Sequence, residues 1–350
     1  MEAWMVVEPE QPLKPLEEPT PVPTGTEVLI EVTHCGVCHS DLHFWKGGYN
    51  LGGGKMLKLA DRGVTLPRAP GHEVAGRVAQ LGPDAEGVAV GDVRVVYPWL
   101  GCGECIYCRT ERDNMCSTPR AIGVVRNGGF GSHVVVPHPR YLVDPGKVDP
   151  GLAATYACSG ITVYSAIDKI MPVDPDQPVL LIGAGGLGLV AIAMLQALGH
   201  RNIVSVDLDA TKRQAALEEG ATLVIDGAGD DLTERVIEVC GPVAAVIDFV
   251  GSASTSRSGL DALAKGGVYV PVGVSGGELT VSLASLIFRA QAIRGSLTGN
   301  LKDLRAVLAL ANEGKLKPTP ITYCSHDHTN EAMVDLREGR VTGRIVLVRE

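Results

Sequence analysis

The run VLLIGAGGLGLVAIAMLQALG, from Val179 to Gly199, carries no charged residue, and four glycines fall in its first ten positions. Its length alone would suit a membrane-crossing helix. The glycines instead divide it into a buried strand, a tight turn and a buried helix. In Gly183-Ala184-Gly185-Gly186-Leu187-Gly188, the first glycine allows a sharp turn and Gly185 lets the backbone approach a diphosphate. Gly188 lets helix and strand pack closely. The diphosphate would sit on the helix N-terminus. Asp207 follows at the end of NIVSVD, where a carboxylate takes ribose hydroxyls and repels a 2′-phosphate. NAD is therefore expected over NADP, since Leu208 rather than an arginine comes next. Lys212 and Arg213 lie close enough to soften that preference.

Strands and helices keep alternating after this turn. NIVSVDLD, TLVID, AAVIDFVG, GGVYVPVG and AIRGSL read as strands, and TKRQAALEEG and DLTERVIEVC as helices. Short connections between them predict a doubly wound parallel sheet. NLKDLRAVLALANEG is an amphipathic helix ending at Gly314, and GRIVLVR is a last strand with no partner assigned by pattern. Residues 1 to about 150 differ. EVLIEVTHCGV, HEVAGRVAQLG and DVRVVYPWL are short and Val-rich, and suit a small barrel or rolled sheet. GGYNLGGGKMLKLADRGVTLP, from Gly47 to Pro67, reads as a long glycine-rich surface loop.

Lys plus Arg number 31 against 40 Asp plus Glu, a net charge of −9. With no basic run, binding to a phosphate backbone is disfavoured. The opening MEAWMVVEPE has no basic segment ahead of an apolar one, so no secretory signal is expected. Nine cysteines, an odd count, suggest reduced thiols in a cytoplasmic protein.

Four of those cysteines, Cys102, Cys105, Cys108 and Cys116, form C-x2-C-x2-C-x7-C. Two-residue gaps aim successive thiolates at one point, and four of them close a tetrahedral shell with no open position. Structural zinc fits best; an iron–sulfur cluster or metal-free surface thiols are the other readings. Cys38 in GVCHSDLH, His72 in GHE and Cys158 in ACSGIT are dispersed, so spacing cannot join them. Singly, Cys158 reads as a small core residue and His72 as a turn histidine. Together, two thiolates and an imidazole would leave a fourth position open for water or substrate, as catalytic zinc requires.

Taken in order, GVCHSDLH, GHEVAG, the four-cysteine loop, ACSGIT, IGAGGLG and a distal Asp closely resemble the zinc-containing medium-chain alcohol dehydrogenases, above all their shorter bacterial and yeast type. The resemblance covers nearly the whole chain. It implies an α/β protein in which a Rossmann domain accompanies a mostly β, barrel-like (GroES-like) catalytic domain, with a cleft between them. The expected division is 1–150 for the catalytic domain, 151–289 for the coenzyme domain, and 290–350 returning to the first. It also implies two zincs per chain and NAD. Cys38, His72 and Cys158 match the catalytic zinc ligands, and Glu73 an acid that can approach the metal. Ser40 and His43 match a proton relay, and Asp41 the carboxylate that orients the ligand histidine. His39 and Arg344 match contacts to coenzyme phosphate. Thr162 lies near the nicotinamide, Leu187 belongs to the glycine turn, and Asp207 and Lys212 match adenosine-ribose contacts.

The implied reaction is the reversible oxidation of a primary or secondary alcohol, with a small alcohol or carbonyl compound as the only partner besides further copies of the chain. A polyol, amino-alcohol or formaldehyde dehydrogenase would carry the same motifs, because substrate choice lives in pocket walls. Trp45, Tyr49 and Trp99 are candidates for those walls. A non-catalytic zinc-stapled binding protein is the reading from another class. An apolar edge near residues 279–297 suggests a homo-oligomer, and likeness to the short-chain members suggests a tetramer.

Overall fold

The computed structural model describes residues 1–349. The strand Val179–Ile182 is buried at all four positions, and the helix Gly186–Ala197 is buried from Gly188 to Leu195. An interior strand–turn–helix unit thus accounts for the charge-free run. Among the described residues no helix is long and apolar enough to cross a membrane.

A six-stranded sheet runs in the order Leu223–Asp226, Ile203–Asp207, Val179–Ile182, Val243–Asp248, Leu263–Pro271, Ala292–Ile293. Every neighbouring pair in it is parallel. Chain order therefore reverses between Val179–Ile182 and Val243–Asp248. In such sheets a ligand crevice opens at the carboxyl ends of the strands beside that reversal. The strand expected at AIRGSL shortens to Ala292–Ile293, which pair with Val268 and Tyr269. An assignment of 290 onward to the other half thus begins a few residues too early.

The second sheet has seven strands. At its centre Val28–Val37 pairs antiparallel with Glu73–Leu81, His133–Val136 and Arg344–Val348. GRIVLVR thus finds its partner near the other end of the chain, and this pairing brings Arg344 into the same sheet as Glu73. The shared core includes Val28, Ile30, Val74, Val95, Val134 and Leu347, each at most 2% exposed. Burial of such aliphatic surface, about 25 cal/mol per Å2, is the main force holding the layers together.

The segment Gly47–Pro67 is not a plain loop. Gly48–Gly52 and Lys55–Lys58 form an antiparallel hairpin with Tyr49 opposite Leu57 and Asn50 opposite Met56. Glycine is what makes the turn possible. Gly52, Gly53 and Gly54 have φ of 83°, 54° and 73°, a left-handed path that side-chain-bearing residues resist.

Candidate functional site

The four clustered cysteines come together as their spacing demands. Cys102 Sγ accepts backbone N–H groups from Glu104 (3.4 Å) and Cys105 (3.3 Å), and Cys116 Sγ accepts those of Cys102 (3.3 Å) and Thr118 (3.4 Å). These amides hold the Cys102 thiol down at about 6. Burial pushes the Cys108 thiol up to about 12. The sulfurs lie 3.9 Å (Cys102–Cys108), 3.5 Å (Cys105–Cys108) and 3.8 Å (Cys105–Cys116) apart. Tetrahedral zinc with bonds of roughly 2.3 Å has sulfur–sulfur edges of about 3.8 Å, so the donor set fits zinc with no position to spare. Two supports of this loop carried no signal in the sequence. A Cβ at Gly101 would lie 2.3 Å from Cys108 Sγ. Buried Asp113 anchors the loop by accepting from Arg140 (2.8 Å) and from the Tyr141 hydroxyl (2.7 Å).

A second group gathers Cys38, His72, Glu73 and Cys158, all buried, with one potential ligand atom from each within 4.8 Å of the others. Cys38 follows the central strand directly and caps the helix His39–Trp45. Glu73 opens the neighbouring strand with His72 just before it, and Cys158 sits in a π-helical turn, Tyr156–Gly160. A π-turn is a common device for displacing one functional side chain. Cys38 and Cys158 Sγ are 4.0 Å apart, and His72 Nε2 is 3.3 Å from Cys158 Sγ. Two sulfurs and one nitrogen again suit zinc, here with a fourth position left open on the side of Glu73.

Asp41 holds this group from behind. Its Oδ2 accepts the Cys38 N–H at 2.9 Å, and its Oδ1 accepts the Gly71 N–H at 3.0 Å and lies 3.2 Å from His72 Nδ1. The imidazole therefore turns Nε2 toward the thiols. Hydrogen bonding from Cys158 and His72 pulls the Cys38 thiol well below its ordinary range against the opposing effect of burial. Burial pushes the Glu73 carboxyl up to about 7, although Arg344 works against it. The ion pair of Glu73 with Arg344 joins two fully enclosed side chains and was invisible to motif reading.

The glycine turn stands beside this group. Gly183 has φ 98°, a Cβ at Gly188 would lie 2.0 Å from the Gly183 carbonyl, and a Cβ at Gly185 would meet nothing. These three environments match the three roles a diphosphate-binding turn assigns to its glycines. The Arg344 stem lies over Gly186, at 2.7 Å from where a Cβ would sit. Asp207 Oδ2 accepts the Ala184 N–H at 2.7 Å, so this carboxylate braces the turn as well as facing the crevice. Arg213 is already engaged by the carbonyls of Asp207 and Leu208 and by Asp226. Lys212 is half-buried, with Nζ 3.8 Å from the Cβ position of Gly339. His39 is affected by Arg344 and Lys212, and burial followed by these cations lowers its pKa. Leu187 is half-buried in the turn, and Thr162 lies buried on Ile161–Asp168, just after the Cys158 turn.

Ser40 and His43 lie on the helix that Cys38 caps. The Tyr49 ring stacks on His43 at 4.8 Å, and Trp99 lies 5.2 Å from the His72 ring. Trp45 belongs elsewhere. Its Nε1 donates to the Gln11 carbonyl, Arg337 covers its ring, and it lines an outer cavity of about 240 Å3 with Leu13 and Met333. It is a packing residue and not a wall of the metal site.

Comparison with known proteins agrees with this geometry. Residues 24–145 match the alcohol dehydrogenase GroES-like domain family, and residues 186–313 match the zinc-binding dehydrogenase family. The NAD-dependent alcohol dehydrogenase of Sulfurisphaera tokodaii is 36% identical, covering 99% of this chain and 100% of its own. That of Saccharolobus solfataricus is 37% identical with the same coverage. Among solved structures, the alcohol dehydrogenase of Aeropyrum pernix superposes with a TM-score of 0.91 at 28% identity over 100% of both chains. The D-arabinose dehydrogenase of Sulfolobus solfataricus does so with 0.84 at 29% over 99% of both. Both halves are matched and full-length relatives share more than a third of their residues, so the chain belongs to the NAD-dependent, zinc-binding alcohol dehydrogenases of the medium-chain type.

Proposed function

We propose that this chain oxidises primary or secondary alcohols to aldehydes or ketones, reversibly, with NAD as hydride acceptor. The observation that carries the reading is the enclosed Cys38–His72–Cys158 set, joined by Arg344 to the glycine turn. Zinc held by Cys38, His72 and Cys158 supplies Lewis acidity toward the substrate oxygen, while NAD supplies the acceptor for hydride. Ser40 takes the hydroxyl proton of the substrate and His43 passes it to solvent. Asp41 keeps His72 Nε2 directed at the metal position, and Glu73 stands ready beside it. His39 and Arg344 hold the coenzyme phosphates. Asp207 and Lys212 take the adenosine ribose, and Thr162 borders the nicotinamide. Cys102, Cys105, Cys108 and Cys116 hold a second, structural zinc, which makes two per chain.

Functionally the chain divides into 1–150 with its C-terminal return, and a coenzyme half that begins at 151 and includes the edge strand Ala292–Ile293. Two copies pair through that edge, where the helix Leu283–Arg289 buries none of its residues, and two such dimers form a tetramer. Two clusters of reduced thiols suit the cytoplasm. The decisive assay follows absorbance at 340 nm with zinc-loaded protein, NAD or NADP, and a panel of alcohols. Polyols and sugars belong in the panel because the D-arabinose dehydrogenase shares the fold. Turnover of simple alcohols with NAD is expected, and none with any alcohol would overturn the reading.

A further inference from the structure

The proton relay read from the motifs contains two side chains, Ser40 and His43, on one short helix. The structure adds a third group from a different element. Tyr49 comes from the hairpin strand Gly48–Gly52, and its ring lies 4.8 Å from the His43 imidazole with 28° between the planes. It is the one aromatic neighbour of His43 among the described residues.

The hairpin that presents Tyr49 is held at both ends. At its base Gly48 packs so closely on the opposite strand that a Cβ would lie 2.4 Å from the Leu57 carbonyl. At its tip, a Cβ on Gly52 would lie 2.5 Å from the Gly277 carbonyl, and one on Gly53 would lie 2.4 Å from Glu278 Oε1. A Cβ on Gly276 would lie 2.8 Å from the Asn50 carbonyl. Residues 276–278 follow the strand Leu263–Pro271 of the coenzyme half. The hairpin thus spans the two halves, with Tyr49 along its length.

From this geometry we infer that Tyr49 is a positioning residue of the relay: its ring fixes the tilt of the His43 imidazole. The inference rests on the reading of Ser40 and His43 as the relay. An imidazole able to rotate freely spends part of its time out of line with the proton it must accept, and proton transfer needs hydrogen-bond reach. A stacked partner removes that rotation without competing for either ring nitrogen.

The test compares His43→Ala, Tyr49→Phe and Tyr49→Leu in the full-length, zinc-loaded protein. His43→Ala establishes whether the relay reading holds. Tyr49→Phe keeps the stack and loses the hydroxyl; Tyr49→Leu loses both. Turnover in Tyr49→Leu should fall roughly tenfold, a fraction of what general acid–base catalysis contributes, with Tyr49→Phe staying close to wild type. KM for NAD should stay unchanged, the solvent isotope effect on kcat should rise, and added imidazole should restore Tyr49→Leu. A second readout needs no turnover: the His43 ring-proton NMR resonance, shifted upfield by the stacked ring, should stay in Tyr49→Phe and move downfield in Tyr49→Leu. Normal turnover in His43→Ala would reject the relay itself. An impaired His43→Ala beside Tyr49 variants with wild-type kinetics and an unmoved His43 resonance would reject the inference alone. A rise only in alcohol KM, with no isotope effect and no rescue, would also reject it, because that is the signature of a pocket wall.

Discussion

Arg344 touches both parts of the site: its guanidinium pairs with Glu73 beside the buried thiols, and its stem lies over Gly186 in the glycine turn. Both partners of the pair are at most 3% exposed. A charge in such a place is tolerated because the opposite charge is present and the strand Arg344–Val348 cannot withdraw it.

Removing one partner of that pair should therefore cost more than removing both. Arg344→Met leaves an enclosed carboxyl, and stability should fall by about 3 kcal/mol. Adding Glu73→Gln should recover much of the loss. Urea unfolding of the two single variants and the double variant checks this. Additive losses would mean that the two groups do not depend on each other.

The two thiol groups should fail differently. Purified protein should hold about two zincs per chain, and Cys105→Ser and Cys38→Ser about one each. Cys105→Ser should lower the melting temperature by roughly 5–10 °C, a loss of a few kcal/mol. Cys38→Ser should keep the fold and reduce turnover at least roughly a hundredfold. Metal analysis, thermal melts and initial rates on the same samples decide it. One zinc in a fully active wild type would contradict the two-site reading.

Coenzyme preference should favour NAD over NADP by at least about tenfold, or about 1.4 kcal/mol. Asp207→Gly should narrow that gap, since it removes the carboxylate that opposes a 2′-phosphate. It should also weaken both coenzymes, because Asp207 accepts the Ala184 N–H within the turn. Fluorescence titration with the two reduced coenzymes separates these effects. Equal affinities in the wild type would assign the adenosine end to Lys212 instead.

Acid should destabilise the chain partly through His326. Burial, and then Arg349, push this imidazole from its ordinary 6.5 down to about 4. As pH falls below 6.5 the unfolded chain takes up a proton that the folded chain refuses until about 4, so stability is lost across that window. For this buried ring the loss should be about 2–3 kcal/mol. His326→Gln should flatten this part of the pH dependence in denaturant titrations. An unchanged slope would place the acid sensitivity elsewhere.

Association should depend on the helix at the sheet edge. Leu283, Ile287 and Phe288 are 75%, 73% and 79% exposed, an apolar face that a stable single chain rarely leaves open. Light scattering should give a multiple of 36.7 kDa, and Phe288→Glu should shift it downward. A wild-type mass near one chain would reject pairing.

Local features were legible in the sequence and distant ones were not. The strand at Val179, the glycine turn and the helix to Gly220 are set by residues within a few positions of one another, and they stand where periodicity placed them. The hairpin Gly48–Gly52/Lys55–Lys58 was hidden because its glycines read as loop, although they supply the left-handed turn. Arg344 and Glu73 lie 271 residues apart, and only the pairing of a terminal strand with Val28–Val37 brings them together. Trp45 was misjudged for a related reason: spacing names the helix but not which side faces the metal group.

The π-helical turn Tyr156–Gly160 makes Cys158 sensitive to residue count as well as to residue type. Each residue of an ordinary helix turns the chain by about 100°. Deleting one position there would let the segment relax into regular helix and swing the thiol away from Cys38 and His72, while leaving the composition of the neighbourhood almost untouched. Among descendants of this chain, insertions and deletions in those five buried positions should be purged.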